Sequence, residues 1–395
     1  MVNSFYLPTR LVYGNGALAQ LPSLLEGFGL KRPIVVSDPI ISKTKSYSVC
    51  VDGLQAANLE FLAFNECGID ARVVQIDAQA ERVRNAKVDC VIAIGGGSVL
   101  CTGKGIAIVA PNFKSVREAE GMLPRGCKPL PMFMIPTTAG SGSEVSQFTI
   151  IKDDEQHRKF VTGGPAGFPV AAVLDPVVLE TLPRGPASVS AVDALTHGIE
   201  AVFSNLSTPL TDAIALESIR LLVGSVRKSI LDNDRDAQAI NLLAASMSNM
   251  ACGNTRLCLA HSLGEPLGGK CNIPHGMAVG VLMPHVLSFN ASHAPDRVSK
   301  VAEAFGLPER RRSIEDLRSA MRKLYDDIGF RRFFTSDQLN PNVIDELARD
   351  TAIGLYGGGV PAEDATDDTV IPSPNIRRAT VRDVAAIYHS CLNDW

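Results

Sequence analysis

The chain has 395 residues, a net charge of −4 and 20% charged residues, so its length predicts two domains and its charge excludes nucleic-acid and anionic-membrane partners. It contains neither a run of about eighteen apolar residues nor an N-terminal basic region followed by an apolar one, which predicts a protein of the cytoplasm. Its nine cysteines lie in apolar contexts without paired spacing, so we expect reduced thiols and no disulfide.

The first predicted strand lies between Lys31 and Asp38, where the short run Pro-Ile-Val-Val-Ser is typical of a strand buried on both faces of a parallel sheet. Asp38 follows the strand, at a position where α/β nucleotide-binding proteins often place an acid against a ribose hydroxyl. A carboxylate there would repel a 2′-phosphate, so we predict NAD(H) rather than NADP(H). The alternative is that Asp38 only begins the turn formed with Pro39.

The second predicted strand, Val88–Ile94, leads directly into Gly95, Gly96, Gly97 and Ser98, and a helical segment follows. Glycines let the backbone approach a pyrophosphate, whose charge is then met by free amides and the helix dipole. A glycine triplet alone is a weak signal and does not match the GxGxxG pattern. Its position between a strand and a helix nevertheless indicates a dinucleotide site.

A third strand, predicted at Met132–Ile135, precedes a segment rich in small hydroxyl residues and glycines, including Thr137, Thr138 and Ser141. Such residues offer many short hydrogen-bond donors for phosphate and ribose oxygens. The alternative is an ordinary loop.

After a further predicted strand at Val170–Leu174, strand-like runs become rare and apolar residues recur at helical spacing. The Pro/Gly cluster Leu182–Pro186 marks a domain boundary. We therefore predict an α/β dinucleotide-binding domain over residues 1–184 and an all-helical, metal-binding domain over residues 185–395. Helical spacing of apolar residues, as in Leu210–Val223, continues to a final helix at Val381–Leu392.

A candidate metal site lies in the second half. Asp193 and His197 are four residues apart, which places both side chains on one helix face. With His261 and His275 they would offer one oxygen and three nitrogen ligands, a set that suits Fe²⁺ or Zn²⁺. The alternative, for each residue taken singly, is that Asp193 caps a helix and that the histidines are satisfied core or surface groups. The set of four in apolar, Gly-rich contexts favours a metal.

These motifs together resemble the iron-containing, or group III, alcohol dehydrogenases. The resemblance rests on Asp193–Ala201, on Ala260-His261 followed by Pro266–Gly269, on Pro274-His275-Gly276, on Gly95–Ser98 with Lys104, and on Ile135–Val145. It extends from Phe5 to near Asp383. It implies a Rossmann-like α/β domain with a parallel sheet, followed by an all-α domain, the dehydroquinate synthase-like fold.

The resemblance also implies an activity: NAD(H)-linked hydride transfer between the nicotinamide C4 and a small alcohol or aldehyde, across a cleft between the two halves. A divalent metal would polarise the substrate oxygen, with Fe²⁺ expected and Zn²⁺ possible by ligand type. In relatives two threonines contact the cofactor, and they correspond to Thr137 and Thr138, with Ser141 nearby; Lys159 continues the pattern. A homodimer or larger homo-oligomer is expected.

Two positions depart from the family pattern. Cys101 replaces an aspartate and offers a weaker hydrogen-bond acceptor near the expected cofactor and substrate. Glu265 replaces a second histidine one turn after His261; it could shuttle protons, contact the substrate or become a fifth metal ligand, or it could be a surface or capping carboxylate. Nearby Gly264 and Pro266 suggest that the helix ends there. We take His261, Glu265 and Cys101 as candidate catalytic residues.

Three other functions are compatible with parts of the pattern. A maleylacetate reductase-like or hydroxyacid-oxoacid transhydrogenase-like enzyme would act on a keto acid, for which Lys159 or Lys270 could supply a positive charge, while Glu265 argues against it. The dehydroquinate synthases share the fold but catalyse elimination, and the Asp-plus-three-His set favours the alcohol dehydrogenases. A non-catalytic assembly protein would be expected to lose metal ligands, and all four are present.

Overall fold

The computed structural model describes residues 3–331, 339–355 and 358–393, and the chain forms two compact units. The α/β unit comprises Tyr6–Pro183 and Asn233–Ser246. The helical unit comprises Arg184–Asp232 and the described residues from Met247 onward, with a short N-terminal segment up to Phe5. Asn233–Ser246 lie outside the range 1–184 predicted for this unit, because the predicted domains were two continuous segments.

The α/β unit contains a six-stranded sheet in which every neighbouring pair is parallel. Its strands are β1 (Arg10–Tyr13), β2 (Pro33–Val36), β3 (Leu62–Phe64), β5 (Cys90–Gly95), β7 (Met132–Pro136) and β10 (Ala171–Leu174). Their order across the sheet is β1-β10-β7-β5-β2-β3. Four of them are the strands that the sequence predicted.

A smaller sheet and four α-helices complete the N-terminal part of this unit. The strands are β4 (Ala71–Arg72), β6 (Gly121–Met122), β8 (Thr149–Asp153) and β9 (Arg158–Gly163), in the order β4-β8-β9-β6. The helices are α1 (Leu21–Gly27), α2 (Lys45–Ala56), α3 (Val73–Asn85) and α4 (Gly97–Asn112). The smaller sheet was not predicted from the sequence.

Strand order explains where a ligand would bind. Every residue of β2, β5, β7 and β10 is buried, as expected for a parallel sheet covered on both faces. The chain passes from β2 to its neighbour β3 and then returns to β5 on the other side of β2. The carboxyl ends of β2 and β5 therefore meet at a topological switch point, where open α/β sheets bind their ligands.

The helical unit is built around α5 (Arg184–Phe203), whose residues from Ala191 to Phe203 are all buried. The other helices of this unit are α6 (Pro209–Leu231), α8 (Leu259–Cys271), α9 (His275–Ala291), α10 (Pro295–Ala304), α11 (Ile314–Ile328), α12 (Pro341–Asp350) and α13 (Val381–Asn393). Helix α7 (Arg235–Thr255) contributes residues to both units. Helix α5 packs against α6 and α9, and α8 packs against α9.

The described residues of the helical unit form no β-strand, and the predicted fold class is confirmed. All nine cysteines are free, as predicted. Within the described ranges, no helix combines the length and apolar character that a membrane span requires.

Candidate functional site

Three of the four predicted metal ligands converge in the helical unit. Asp193 lies on α5, His261 lies on α8, and His275 is the first residue of α9. The Asp193 Oδ1 atom is 3.8 Å from Nε2 of His261 and 3.8 Å from Nε2 of His275. One potential ligand atom from each of the three residues lies within 4.8 Å of the others, so they form a group that could hold a metal ion.

His197 lies beside this group of three without being part of it. Its ring stacks on that of His261 with a centroid separation of 4.7 Å. Three polar atoms here, Asp193 Oδ1, His197 Nδ1 and His261 Nε2, are buried and have no hydrogen-bond partner in the described part of the chain. Buried polar atoms are rarely left unpaired, so these residues fit a bound divalent cation.

Glu200, for which no role was predicted from the sequence, forms hydrogen bonds with His261 of the metal group. Its Oε2 accepts a hydrogen bond from the Cys258 amide and lies 2.8 Å from Nδ1 of His261. Its Oε1 accepts from the His261 amide at 3.1 Å. A proton on Nδ1 of His261 is thereby held by Glu200, which leaves Nε2 for a metal. Helical periodicity could have identified Glu200, because it shares a face with Asp193 and His197.

The charges of this group follow from burial and from Glu200. Burial lowers the pKa of His197 to about 4 despite the neighbouring Asp193, so this imidazole is neutral near pH 7. Burial alone would also lower the pKa of His261, but the charge and hydrogen bond of Glu200 outweigh it, and the pKa is raised. Burial opposes ionisation of Glu200, yet His261 and two amides hold its pKa below the usual range.

Helix α8 continues through Gly264 and Pro266 to Cys271, so the expectation that it ends there is wrong. Gly264 instead permits close packing, since a Cβ at this position would lie 2.6 Å from Cγ1 of Val279 on α9. The continuing helix places Glu265 one turn after His261. Its Oε1 is 3.4 Å from Nδ1 of His275.

Gly276 sets the position of His275 by allowing α9 to approach α5. A Cβ on Gly276 would lie 2.7 Å from the backbone oxygen of Val189 and 3.1 Å from Cβ of Asp193. Any side chain would therefore separate the start of α9 from α5. Because Gly276 has no side chain, α9 lies close enough to α5 for the adjacent His275 to approach Asp193.

In the α/β unit, the glycine triplet forms the turn between β5 and α4. Gly95 ends the strand and Gly97 begins the helix. A Cβ on Gly95 would lie 2.5 Å from the side chain of Val99, so the turn requires glycine at this position. No side chain caps the start of α4, so its first amides are not occupied by a capping group. Such a helix start suits an anion.

The predicted hydroxyl segment lies directly beside this turn. The Thr137 amide donates to the carbonyl of Gly95 at 2.9 Å. Thr138 and Ser141 face the other two glycines of the triplet: a Cβ built on those glycines would lie 3.8 Å from Thr138 Cγ2 and 3.5 Å from Ser141 Oγ. The structure thus brings both predicted cofactor segments together.

Ser98 and Lys159 are connected through Asp70, a residue that no sequence signal had indicated. The Asp70 amide donates to Ser98 Oγ at 3.1 Å, and Lys159 Nζ donates to Asp70 Oδ1 at 2.8 Å. Asp70 has a positive φ of 65°. This ion pair holds a lysine close to the start of α4.

Lys104 anchors the segment that follows Ser141. It is fully buried, and its Nζ donates to the carbonyls of Ser146 and Phe148 at 2.7 and 3.0 Å. Burial lowers its pKa to about 8, although Glu144 favours the charged form. Burial also raises the pKa of Glu144, whose Oε1 accepts from Ser246 Oγ at 2.6 Å.

Two further predicted residues have structural contacts of their own. The Oδ1 atom of Asp38 accepts from the amides of Ile40 and Ile41 at 2.8 and 2.9 Å. Asp38 therefore begins the turn with Pro39, which was the alternative to a role in ribose binding. Cys101 is partly buried on α4 against the hydrophobic core, and its carbonyl accepts from Thr149 Oγ1 at 3.1 Å. The cofactor role of Asp38 and the catalytic role of Cys101 stay predictions.

Comparison with known proteins identifies the family. The family model for iron-containing alcohol dehydrogenase matches residues 8–176, and that for the Fe-containing alcohol dehydrogenase family, C-terminal, matches residues 187–392. The chain is 30% identical over 397 residues to lactaldehyde reductase of Escherichia coli (strain K12), covering 99% of this chain and 100% of that protein.

Two further comparisons agree. The chain is 27% identical over 392 residues to the NAD-dependent methanol dehydrogenase of Bacillus methanolicus, covering 99% of this chain and 100% of the relative. The crystal structure of 1,3-propanediol oxidoreductase has the same fold, with a TM-score of 0.89 and 24% identity over 99% of this chain and 100% of that one. The chain therefore belongs to the iron-containing alcohol dehydrogenase family, oxidoreductases that act on CH–OH groups.

Proposed function

We propose that this protein is a metal-dependent, NAD(H)-linked alcohol dehydrogenase that interconverts a small primary or polyol-type alcohol and its aldehyde. The observation that carries the proposal is the convergence of Asp193, His261 and His275, in which Asp193 Oδ1 and His261 Nε2 are buried and lack hydrogen-bond partners among the described residues. Relatives named for lactaldehyde and methanol are consistent with a small substrate.

The metal site in this proposal consists of Asp193, His197, His261 and His275. Fe²⁺ is the proposed ion and Zn²⁺ the alternative, because both accept a carboxylate and imidazoles. When bound, the ion supplies Lewis-acid polarisation of the substrate oxygen. The neutral state of His197 keeps its ring nitrogens available as ligands, since burial lowers its pKa to about 4.

The cofactor site in this proposal lies at the switch point of the large sheet. The turn before α4 receives the pyrophosphate, because its glycines allow close approach and the helix start favours an anion. The nicotinamide supplies or accepts the hydride. Asp38 selects NAD(H) by repelling a 2′-phosphate. The proposed cofactor contacts are Asp38, Gly95, Gly96, Gly97, Ser98, Thr137, Thr138, Ser141 and Lys159.

Among the candidate catalytic residues, His261 acts as a metal ligand. The Glu265 side chain is 36% exposed and reaches both solvent and the metal group, which suits substrate contact or proton transfer. Cys101 offers a weaker hydrogen-bond acceptor than the aspartate of relatives, and we assign it to substrate specificity.

A keto-acid substrate has less support. Such an anion needs an uncompensated cation, and Lys159 pairs with Asp70. Lys270 pairs with Glu346 at 3.0 Å and with Asp350 at 2.9 Å. Both lysines proposed for an anionic substrate are therefore already neutralised by carboxylates. Assembly into a homodimer or larger homo-oligomer is also proposed, and light scattering would measure it.

The experiment combines elemental analysis with NADH-linked activity on short alcohols and aldehydes, before and after chelation. About one iron or zinc per chain is expected, as a single site requires. Activity should be lost on chelation and in His261→Ala, while the exposed control His293→Ala should keep it. A metal-free protein that cannot be reconstituted, or an active His261→Ala variant, would contradict the proposal.

A further inference from the structure

Two histidines of the metal group share one arrangement. In both His261 and His275, Nε2 lies 3.8 Å from the same oxygen, Asp193 Oδ1. In both, Nδ1 lies beside a glutamate: 2.8 Å from Glu200 in His261 and 3.4 Å from Glu265 in His275. A carboxylate therefore lies beside Nδ1 of the second histidine as it does beside Nδ1 of the first.

This arrangement has a defined chemical effect. An imidazole that binds a metal through Nε2 must carry its proton on Nδ1, and a carboxylate beside Nδ1 stabilises that tautomer and fixes the ring. In His275 the unprotonated nitrogen is then Nε2, the atom that lies near Asp193.

The two supports differ in their access to water. The side chains of Glu200 and His261 are each 1% exposed, whereas those of Glu265 and His275 are 36% and 43% exposed. The contact of Glu265 is also longer. Glu265 should therefore contribute less to metal binding than Glu200 does.

We propose that Glu265 is a positioning residue that holds His275 in the Nδ1-protonated tautomer and thereby raises metal affinity. The inference rests on the proposed metal site. It gives α8 two tasks: His261 is a ligand, and Glu265, one turn later, supports the ligand on α9. Glu265 is then not itself a metal ligand.

The test measures dissociation constants for Co²⁺ and Zn²⁺ on the full chain, by competition with a chromophoric chelator. Loss of a supporting carboxylate typically weakens metal binding about 10- to 100-fold. For the half-exposed Glu265 we expect the lower end, about tenfold weaker binding in Glu265→Ala. Glu265→Gln should be intermediate, because its amide oxygen can occupy the same position beside Nδ1 without the negative charge. The control Glu217→Gln removes a helical glutamate that pairs with Arg220 and should bind metal normally.

The Co²⁺ absorption spectrum separates support from ligation. A positioning role predicts the same spectral shape in the wild type, Glu265→Gln and Glu265→Ala, since the coordination number does not change. Equal losses of affinity in both variants, together with a changed spectrum, would mean that Glu265 is a ligand and would overturn the proposal. Unchanged affinity in Glu265→Ala would overturn it as well.

Asp193→Ala distinguishes failure of this inference from failure of the proposed function. It should abolish tight metal binding. If Asp193→Ala binds metal as the wild type does, the metal centre itself is wrong. If Asp193→Ala loses binding and Glu265→Ala does not, only the role of Glu265 is wrong.

Discussion

Replacing Gly276 by alanine tests whether the close approach of α9 to α5 builds the metal site. The new Cβ would lie 2.7 Å from the backbone oxygen of Val189, 2.9 Å from its Cγ1 and 3.1 Å from Cβ of Asp193. None of these atoms is the end of a long flexible side chain, so the helices themselves must separate. His275 would then move away from Asp193.

Two opposing effects determine how much Gly276→Ala changes the free energy of unfolding. Overpacking costs about 1–3 kcal/mol, whereas replacing glycine by alanine inside a helix gains up to about 1 kcal/mol. That gain is smaller in the first turn of α9, so we expect Gly276→Ala to lose about 1–2 kcal/mol of unfolding free energy. Gly224→Ala, on α6, is the control: its Cβ would meet nothing within 4 Å, and it should gain about 0.5–1 kcal/mol.

The assay is urea unfolding of metal-free protein followed by far-UV circular dichroism, so that ligand binding does not contribute to stability. A chelator competition then compares metal affinity, which should fall in Gly276→Ala and stay unchanged in Gly224→Ala. If Gly276→Ala were as stable as Gly224→Ala and bound metal like the wild type, the reasoning about helix approach would be refuted.

Three further predictions concern the α/β unit. The pKa of Lys104 is lowered from 10.5 to about 8, so between these pH values the folded state binds fewer protons than the unfolded state. The unfolding free energy of the wild type minus that of Lys104→Met should therefore rise by about 3 kcal/mol over this window in urea titrations, and a flat difference would contradict it. The buried thiols, whose pKa values are raised, make the unfolding free energy fall with rising pH. They do so in both proteins, so the difference between wild type and variant removes their contribution. Asp70→Asn keeps a residue that tolerates positive φ but removes the ion pair to Lys159; NADH should bind up to about fivefold more weakly by fluorescence titration, with metal affinity unchanged. Asp38→Asn keeps an oxygen for the turn amides and removes the charge, so the ratio of NADPH to NADH affinity should rise; an unchanged ratio would exclude Asp38 as the selector.

The four central strands of the large sheet could be predicted because they are continuous buried runs, as in Cys90–Gly95, whereas the edge strands β1 and β3 were not predicted. The smaller sheet could not be predicted, since β4 and β6 have two residues each and β9 begins with two exposed charged residues, Arg158 and Lys159. In such strands long-range pairing, rather than local pattern, decides the conformation.

The four metal-ligand candidates could be predicted from residue type and spacing, whereas the long-range contacts around the two proposed sites could not. Glu200 contacts His261 across 61 positions of sequence, and Lys159 contacts Asp70 across 89. Only the packing of distant elements creates these contacts. Local preferences also misplaced the end of α8, because the packing of Gly264 against Val279 outweighs the helix-breaking tendency of Pro266.

The discontinuity of the α/β unit has a consequence for biosynthesis. Tyr6–Pro183 leave the ribosome before Asn233–Ser246 have been made, since Arg184–Asp232 come between them. At about 5–20 residues per second, the unit waits several seconds for its last segment. During that interval Glu144 has no Ser246 hydroxyl to accept from, and a fragment ending at Pro183 would lack it permanently. The nascent α/β unit is therefore completed only after Arg184–Asp232, the first long segment of the helical unit, has been made.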